Sequence, residues 1–63
     1  NFRDLREAAL QQLAEVHLRD ERLTLAEVST LLGYSEQSAF TRAFKRWQGI
    51  SPLQWRHQRL IAL

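Results

Sequence analysis

The sequence predicts a small all-α protein, and three observations support that prediction. Apolar residues recur at steps of three and four along most of the 63 residues, the spacing of one face of an α-helix. Turn-forming residues fall at two places, Gly33 and the run Gly49-Ile50-Ser51-Pro52. Side chains suited to cap helix starts occur at Thr24, Ser35 and Ser51. Together these features predict four helices.

The first helix is predicted over residues 3–18, and its apolar residues form two lines. The stronger line forms one stripe of the helix and comprises Phe2, Leu5, Ala9, Leu13 and Val16. The weaker line lies on another side and comprises Leu10, Ala14 and Leu18. This second line either contacts something beyond these residues or wraps around a small core. The segment 16–22 is long for a join, so either the helix extends or a loop intervenes.

The second helix is predicted over residues 25–32. Thr24 and Glu27 match a capping box, in which each side chain bonds the other residue's backbone amide. The expected buried stripe is Leu25, Val28, Leu31 and Leu32, and Gly33 supplies a residue that can take positive φ at the end.

The third and fourth helices follow the same kinds of signal. Ser35 is the predicted N-cap of a helix over 36–48, with Glu36 in its first turn, where the helix dipole favours a carboxylate. Gly49 ends this helix. Ser51 followed by Pro52 predicts a further start, opening a helix over 52–60.

Composition excludes several classes of protein. A chain of 63 residues buries only roughly 60% of its unfolded surface, which leaves little room for a deep substrate cavity. Without cysteine it has neither disulfides nor a thiolate zinc site. His17 and His57 have no carboxylate or thiolate at a ligand spacing, so no metal or acid/base role is expected. We therefore predict no enzyme, no cofactor and no metal.

The chain also lacks targeting signals. No run of about 18 apolar residues could span a bilayer, and no signal peptide is visible, so we expect no membrane association and a cytoplasmic location. The opening Asn1-Phe2-Arg3, without a start methionine, predicts a fragment of a longer chain.

Positive charge is concentrated in the second half. Residues 1–33 carry four arginines against six acidic residues, whereas residues 34–63 carry five basic residues against Glu36 alone. A clustered positive face is typical of a phosphate-binding surface. An ordinary solvated helix face explains the charge equally well.

The predicted helix 36–48 separates into two faces at about 100° per residue. Its apolar side is expected to be core and comprises Ala39, Phe40, Ala43, Phe44 and Trp47. Its polar side comprises Gln37, Ser38, Thr41, Arg42, Lys45 and Arg46. Glutamine can pair with an adenine edge and arginine with a guanine edge, while serine and threonine reach bases or phosphates. This inventory suits the major groove of DNA, although any exposed helix has a polar face.

The neighbouring elements favour the DNA interpretation. A short helix, a glycine-containing turn over 33–35 and a longer amphipathic helix form a homeodomain-like helix-turn-helix, in which the second helix enters the groove. Ser29 is small enough for the two helices to approach closely at the corner. The remaining large apolar residues, Ile50, Pro52 and Trp55, are predicted to join the core.

About half of the chain resembles the second helix-turn-helix of the AraC/XylS family of bacterial transcription regulators. The resemblance rests on Leu25-Ala26-Glu27-Val28-Ser29, on the unbroken run from Leu31 to Trp47, on Gly49-Ile50-Ser51-Pro52 and on Trp55-Arg56. It implies that residues 1–22 are a long N-terminal linker helix with its connection, and that 23–63 are the DNA-binding unit. A first helix-turn-helix and a sensing domain would lie outside this chain.

The resemblance also implies roles for individual residues. Base reading is expected of Gln37, Ser38, Thr41 and Arg42. Phosphate contact is expected of Lys45 and Arg46, and of the helix amino ends at Thr24 and Ser51. The implied partners are double-stranded DNA and RNA polymerase.

An interaction module is the alternative to DNA binding. The helix 3–18 would then be a contact surface, through Leu10, Ala14 and Leu18, and could form a homodimer.

Overall fold

The computed structural model describes the backbone of residues 2–61 and the side chains of residues 4–59. Within that range the chain forms four helices and no strand, so the predicted all-α fold class is confirmed. The helices are α1 (Phe2–Leu18), α2 (Leu25–Leu31), α3 (Gln37–Gln48) and α4 (Pro52–Ile61). The helix α1 ends at Leu18 and a loop follows it, which answers the question left open by the segment 16–22.

Of the two alternatives for the weaker apolar line of α1, the structure shows the one in which it wraps around a small core. Ala14 and Leu18 of the weaker apolar line are completely buried. In the stronger line Leu5, Leu13 and Val16 are 70%, 48% and 57% exposed. Ala9 is exposed as well, and the side chain of Phe2 lies outside the described residues. Both lines are apolar, so only the surface that α1 meets could decide which of them turns inward.

The start of α2 is as predicted. The Glu27 amide donates to Thr24 Oγ1 at 3.1 Å, and the Thr24 amide donates to Glu27 Oε1 at 2.9 Å. Gly33 takes a φ of 92° just beyond the helix end. At the corner, Ser29 is buried and its hydroxyl donates to the Ala26 carbonyl at 2.9 Å.

One residue of the predicted stripe on α2 is not buried. Val28 is completely buried, and Leu25 and Leu32 are partly buried against the core. Leu31, however, is 58% exposed. Leu31 lies about 60° around the helix axis from Val28, on the side away from Leu25 and Leu32, so it is at the edge of the stripe.

The start of α3 differs from the prediction by one residue. Glu36, not Ser35, is the N-cap, and its side chain makes no capping hydrogen bond. The chain uses Ser35 in the turn, where the Tyr34 amide donates to the Ser29 carbonyl at 3.0 Å. The end is as predicted, since Gly49 has a φ of 80° and its amide donates to the Lys45 carbonyl at 2.8 Å.

The predicted cap of α4 is confirmed and is more complete than expected. The Gln54 amide donates to Ser51 Oγ at 3.1 Å, while the Ser51 amide donates to Gln54 Oε1 at 3.0 Å. This is a second capping box, with glutamine in the place of glutamate. The spacing Ser51-x-x-Gln54 was present in the sequence and could have predicted it.

A contiguous set of aromatic rings forms the centre of the core. Phe44 lies 5.8 Å from Phe40, 6.3 Å from Trp47 and 5.9 Å from Trp55, measured between ring centroids. Phe40, Phe44, Pro52 and Trp55 are buried as predicted, while Trp47 and Ile50 are partly buried against them. The tilted and edge-on arrangements are those that aromatic pairs prefer.

Polar contacts at three points attach α1 to the rest of the molecule. Arg46 pairs with Glu7 at 3.2 Å, and Gln48 Nε2 donates to Glu15 Oε2 at 2.8 Å. Arg56 Nε donates to the Leu18 carbonyl at 2.8 Å. The first helix therefore has a defined position against α3 and α4.

Candidate nucleic-acid interface

The two faces predicted for α3 separate as expected in the structure. Phe40, Ala43 and Phe44 are buried, and Ala39 and Trp47 are partly buried. On the opposite side, exposed side chains comprise Gln37, Ser38, Arg42, Lys45 and Arg46, and Thr41 is half-buried. The helix therefore presents amide, hydroxyl and guanidinium groups together on one accessible face.

Two groups on this face have partners within the molecule. The Ser38 hydroxyl donates to Glu36 Oε2 at 3.2 Å, and Arg46 Nη2 donates to Glu7 Oε1 at 3.2 Å. Both contacts are exposed, so each competes with water and is weak.

The two cations near the carboxyl end of α3 are placed favourably. Lys45 and Arg46 lie in the last turn of the helix, where the negative end of the helix dipole stabilises positive charge. The first turn contains no acidic residue. The electrostatic character of the helix is therefore positive toward its carboxyl end, as a surface that contacts phosphates requires.

The hydroxyl groups of the cap residues Thr24 and Ser51 already have hydrogen-bond partners. Each hydroxyl accepts a hydrogen bond from a backbone amide within its capping box. Thr24 is exposed, and Ser51 is half-buried. Any phosphate contact at these helix ends would therefore use the remaining amides of the first turn. Phosphate binding at Thr24 and Ser51 stays a prediction.

Hydrogen bonds stabilise two carboxylates near α2. The backbone amide of Thr24, with its hydroxyl, lowers the pKa of Glu27. The side chain of Arg22 lowers the pKa of Asp20, with a further contribution from the Arg22 amide. Both groups therefore stay ionised to more acidic pH than free carboxyls.

Sequence reasoning did not find the residues of α1 and α4 that hold the helix-turn-helix in place. The sequence assigns no packing contact to Glu7, Glu15 or Arg56, yet each of them contacts another helix or its end. No local pattern marks them, because their partners lie 33 to 39 residues away in the chain.

Comparison with known proteins agrees with this architecture. A protein family described as "Helix-turn-helix domain" matches residues 1–58. The chain belongs to the AraC/XylS-type helix-turn-helix family. The resemblance inferred from the sequence is thereby confirmed, with α2 and α3 as the helix-turn-helix.

Members of this family with curated names are similar over most of the chain. An uncharacterised helix-turn-helix transcriptional regulator of Mycobacterium tuberculosis is 46% identical over 55 residues, covering 87% of this chain and 16% of that protein. The transcriptional regulator VirS of the same species is 43% identical over 53 residues, covering 84% and 16%. The chain thus spans about a sixth of the length of these curated relatives.

A solved structure shows the same fold. The crystal structure of the transcriptional regulator CdpR from Pseudomonas aeruginosa matches with a TM-score of 0.87 and 38% identity. The match covers 90% of this chain and 18% of that one.

None of the helices in the described part of the chain is both long and apolar enough to cross a membrane. Within the same residues, no group of three or more histidine or acidic side chains could hold a metal ion.

Proposed function

We propose that this chain binds double-stranded DNA sequence-specifically, with α3 in the major groove, as part of a bacterial transcription regulator. The observation that carries the proposal is the exposed polar face of α3, which opposes the buried face of Phe40 and Phe44. A helix in this setting, preceded by α2 and a glycine turn, suits the width of the major groove. Membership of the helix-turn-helix family supports the same function.

Within this proposal the side chains of α3 divide into two roles. The base edges are read by Gln37, Ser38, Thr41 and Arg42, which lie nearer the amino end of the helix. Lys45 and Arg46 contact phosphates, which position the protein without reading sequence. Residues 1–22 serve as linker helix and connection, and residues 23–63 as the DNA-binding unit.

Selection from a pool of random duplexes tests this function. The chain should enrich one short motif. Arg42→Ala should cost about 1–3 kcal/mol on that motif and relax the preference at a single base pair. Lys45→Ala should weaken binding to all duplexes alike and reduce the salt slope by about one.

Arg59→Ala is the matched control, because it removes a cation from α4 and leaves the face of α3 unchanged. Failure to enrich any motif, while the chain is folded, would contradict sequence-specific binding. Unchanged binding by both α3 variants would contradict the assignment of this face.

Partners and location follow from the same proposal. Double-stranded DNA is the direct partner, and the family resemblance extends the proposal to RNA polymerase as a protein partner of the regulator. A regulator that acts on a bacterial chromosome works in the cytoplasm.

A second candidate function is association of two copies through α1. The line Leu10, Ala14 and Leu18 does not provide that surface, because Ala14 and Leu18 are buried in the core and Leu10 is half-buried. The observation that favours association is instead the exposed line of Leu5, Leu13 and Val16.

Sedimentation at several concentrations tests association directly. The chain should form a concentration-dependent dimer that Leu13→Glu abolishes. A strictly monomeric chain would remove this candidate.

A further inference from the structure

A groove of about 440 Å³ lies between α1 and α3, beside the face of α3 that we assign to DNA. Its lining includes three arginines, Arg6, Arg42 and Arg46, together with Glu7, Leu10 and Tyr34. Small side chains on α3 complete the lining and keep the groove open. The groove thus combines strong positive charge with direct access from the DNA-facing side.

The position of Arg6 and Glu7 follows from the packing of α1. Glu7 lies within about 20° of Ala14 and Leu18 around the helix axis, at 100° per residue. Because Ala14 and Leu18 are buried in the core, Glu7 is turned toward the same neighbours. Its carboxylate meets Arg46 of α3 at 3.2 Å, and Arg6 also faces the groove.

The charges in the groove are only partly balanced. Among side chains in the described range 4–59, Arg46 is paired with Glu7, whereas no carboxylate lies within 4.0 Å of Arg6 or Arg42. Burial raises the pKa of the Tyr34 hydroxyl, and the positive charges of Arg46 and Arg6 oppose that rise. The Glu7 carboxylate adds to the rise, so two guanidinium groups and one carboxylate act on the same small region, and its net charge is positive.

The Glu7–Arg46 pair is easily exchanged. The two side chains are 40% and 63% exposed, and exposed ion pairs contribute little to stability. A phosphate can accept hydrogen bonds from the Arg46 guanidinium as the carboxylate does. A phosphate also attracts Arg6, whereas Glu7 would repel it if it stayed in place.

We propose that a phosphate of the DNA backbone occupies the groove between α1 and α3, held by Arg6 and Arg46, and displaces the Glu7 carboxylate from Arg46. This inference rests on the proposed DNA binding and adds two residues of α1 to the interface. Arg6 contacts the phosphate, and Glu7 opposes its entry.

Salt titrations of binding to a random-sequence duplex test the role of Arg6. Each phosphate contact contributes about 0.9 to the slope of log affinity against log salt. Arg6→Gln should make this slope shallower by about that amount. The loss of affinity of the variant relative to wild type should therefore shrink roughly threefold between 50 and 200 mM salt. Arg59→Gln, which removes an arginine from α4, is the control and should leave the slope unchanged.

The role of Glu7 predicts a gain in affinity. Glu7→Gln should bind every duplex more tightly than wild type, because no carboxylate has to leave Arg46. The gain should exceed that of Glu21→Gln, an equal charge change in the loop after α1. In an Arg46→Gln background the substitution at Glu7 should have no more effect than the one at Glu21.

The outcomes separate this inference from the proposed function. A folded wild-type chain that binds no duplex would overturn both. Two results would overturn only the proposed phosphate site, provided that the wild-type chain binds DNA. One is that Arg6→Gln behaves like Arg59→Gln, and the other is that Glu7→Gln behaves like Glu21→Gln. Circular dichroism of each variant confirms that it is folded, which these exposed positions favour.

Discussion

Arg56 provides the sharpest test of how the helices are held together. Its Nε donates to the Leu18 carbonyl at 2.8 Å, and its Nη2 donates to the Asp20 carbonyl at 3.3 Å. The last carbonyls of α1 have no partner within the helix, so the guanidinium supplies one. It also places positive charge at the negative end of the α1 dipole. Arg56→Ala removes all of these interactions at once.

The expected loss can be worked out from these contacts. A hydrogen bond to a charged group contributes about 1.5–3 kcal/mol, and the dipole adds about 0.3–1 kcal/mol. Arg56 is only half-buried and its second bond is long, so we take about 2 kcal/mol in total. A 63-residue domain is stable by about 3–9 kcal/mol, so this is a large fraction. The melting temperature should fall by about 8–16 °C.

Thermal and urea unfolding followed by circular dichroism measure this loss. Arg56→Lys keeps the charge but not the fork that reaches two carbonyls, so it should show an intermediate loss. Arg59→Ala is the control, since it removes only a guanidinium stacked 4.9 Å from the centre of the Trp55 ring, a contact of about 0.5–1 kcal/mol. An Arg56→Ala chain that melts together with wild type or with Arg59→Ala would refute this account.

Four further substitutions test other parts of the structure. Leu18→Ala should cost about 2–5 kcal/mol in unfolding free energy and Leu13→Ala about 0.5 kcal/mol or less; equal losses would contradict the orientation of α1. Because the pKa of Glu27 lies below its usual 4.5, its capping contribution is complete above that pH and disappears as pH falls through the lowered value. The difference in melting temperature between wild type and Glu27→Gln should therefore narrow on acidification, and a constant difference would contradict it. Gly49→Ala should cost about 1–2 kcal/mol through its φ of 80° alone, since an added Cβ meets no atom within 4 Å. Urea unfolding that shows no loss would contradict that backbone conformation.

Helix boundaries were predictable where the signal is local. The boxes at Thr24 and Ser51, and the positive φ of Gly33 and Gly49, involve atoms no more than four residues apart. Among the predicted N-caps Ser35 failed, because Glu36 next to it takes that position. The choice between two adjacent residues depends on how the whole turn closes.

The part of the candidate site that lies on α3 was also predictable from a local signal. One helix turn determines that Gln37, Thr41 and Arg42 share a face, so the polar side of α3 followed from spacing alone. The charges that surround this face could not be predicted from spacing. Arg6 and Glu7 reach the groove only because α1 packs beside α3. Glu7 and its partner Arg46 are 39 residues apart in the chain.

The sequence by itself determined the four helices, the caps at Thr24 and Ser51 and the two faces of α3, because periodicity and capping act within one or two turns. The tertiary structure alone decided the rotation of α1 about its axis. Periodicity reveals which residues share a line, but α1 has two apolar lines, and the weaker one is the line that packs inward. The line that ends in Ala14 and Leu18 became the core because it meets the aromatic rings of α3 and α4. The same rotation brings Glu7 to Arg46 and leaves Leu13 in solvent.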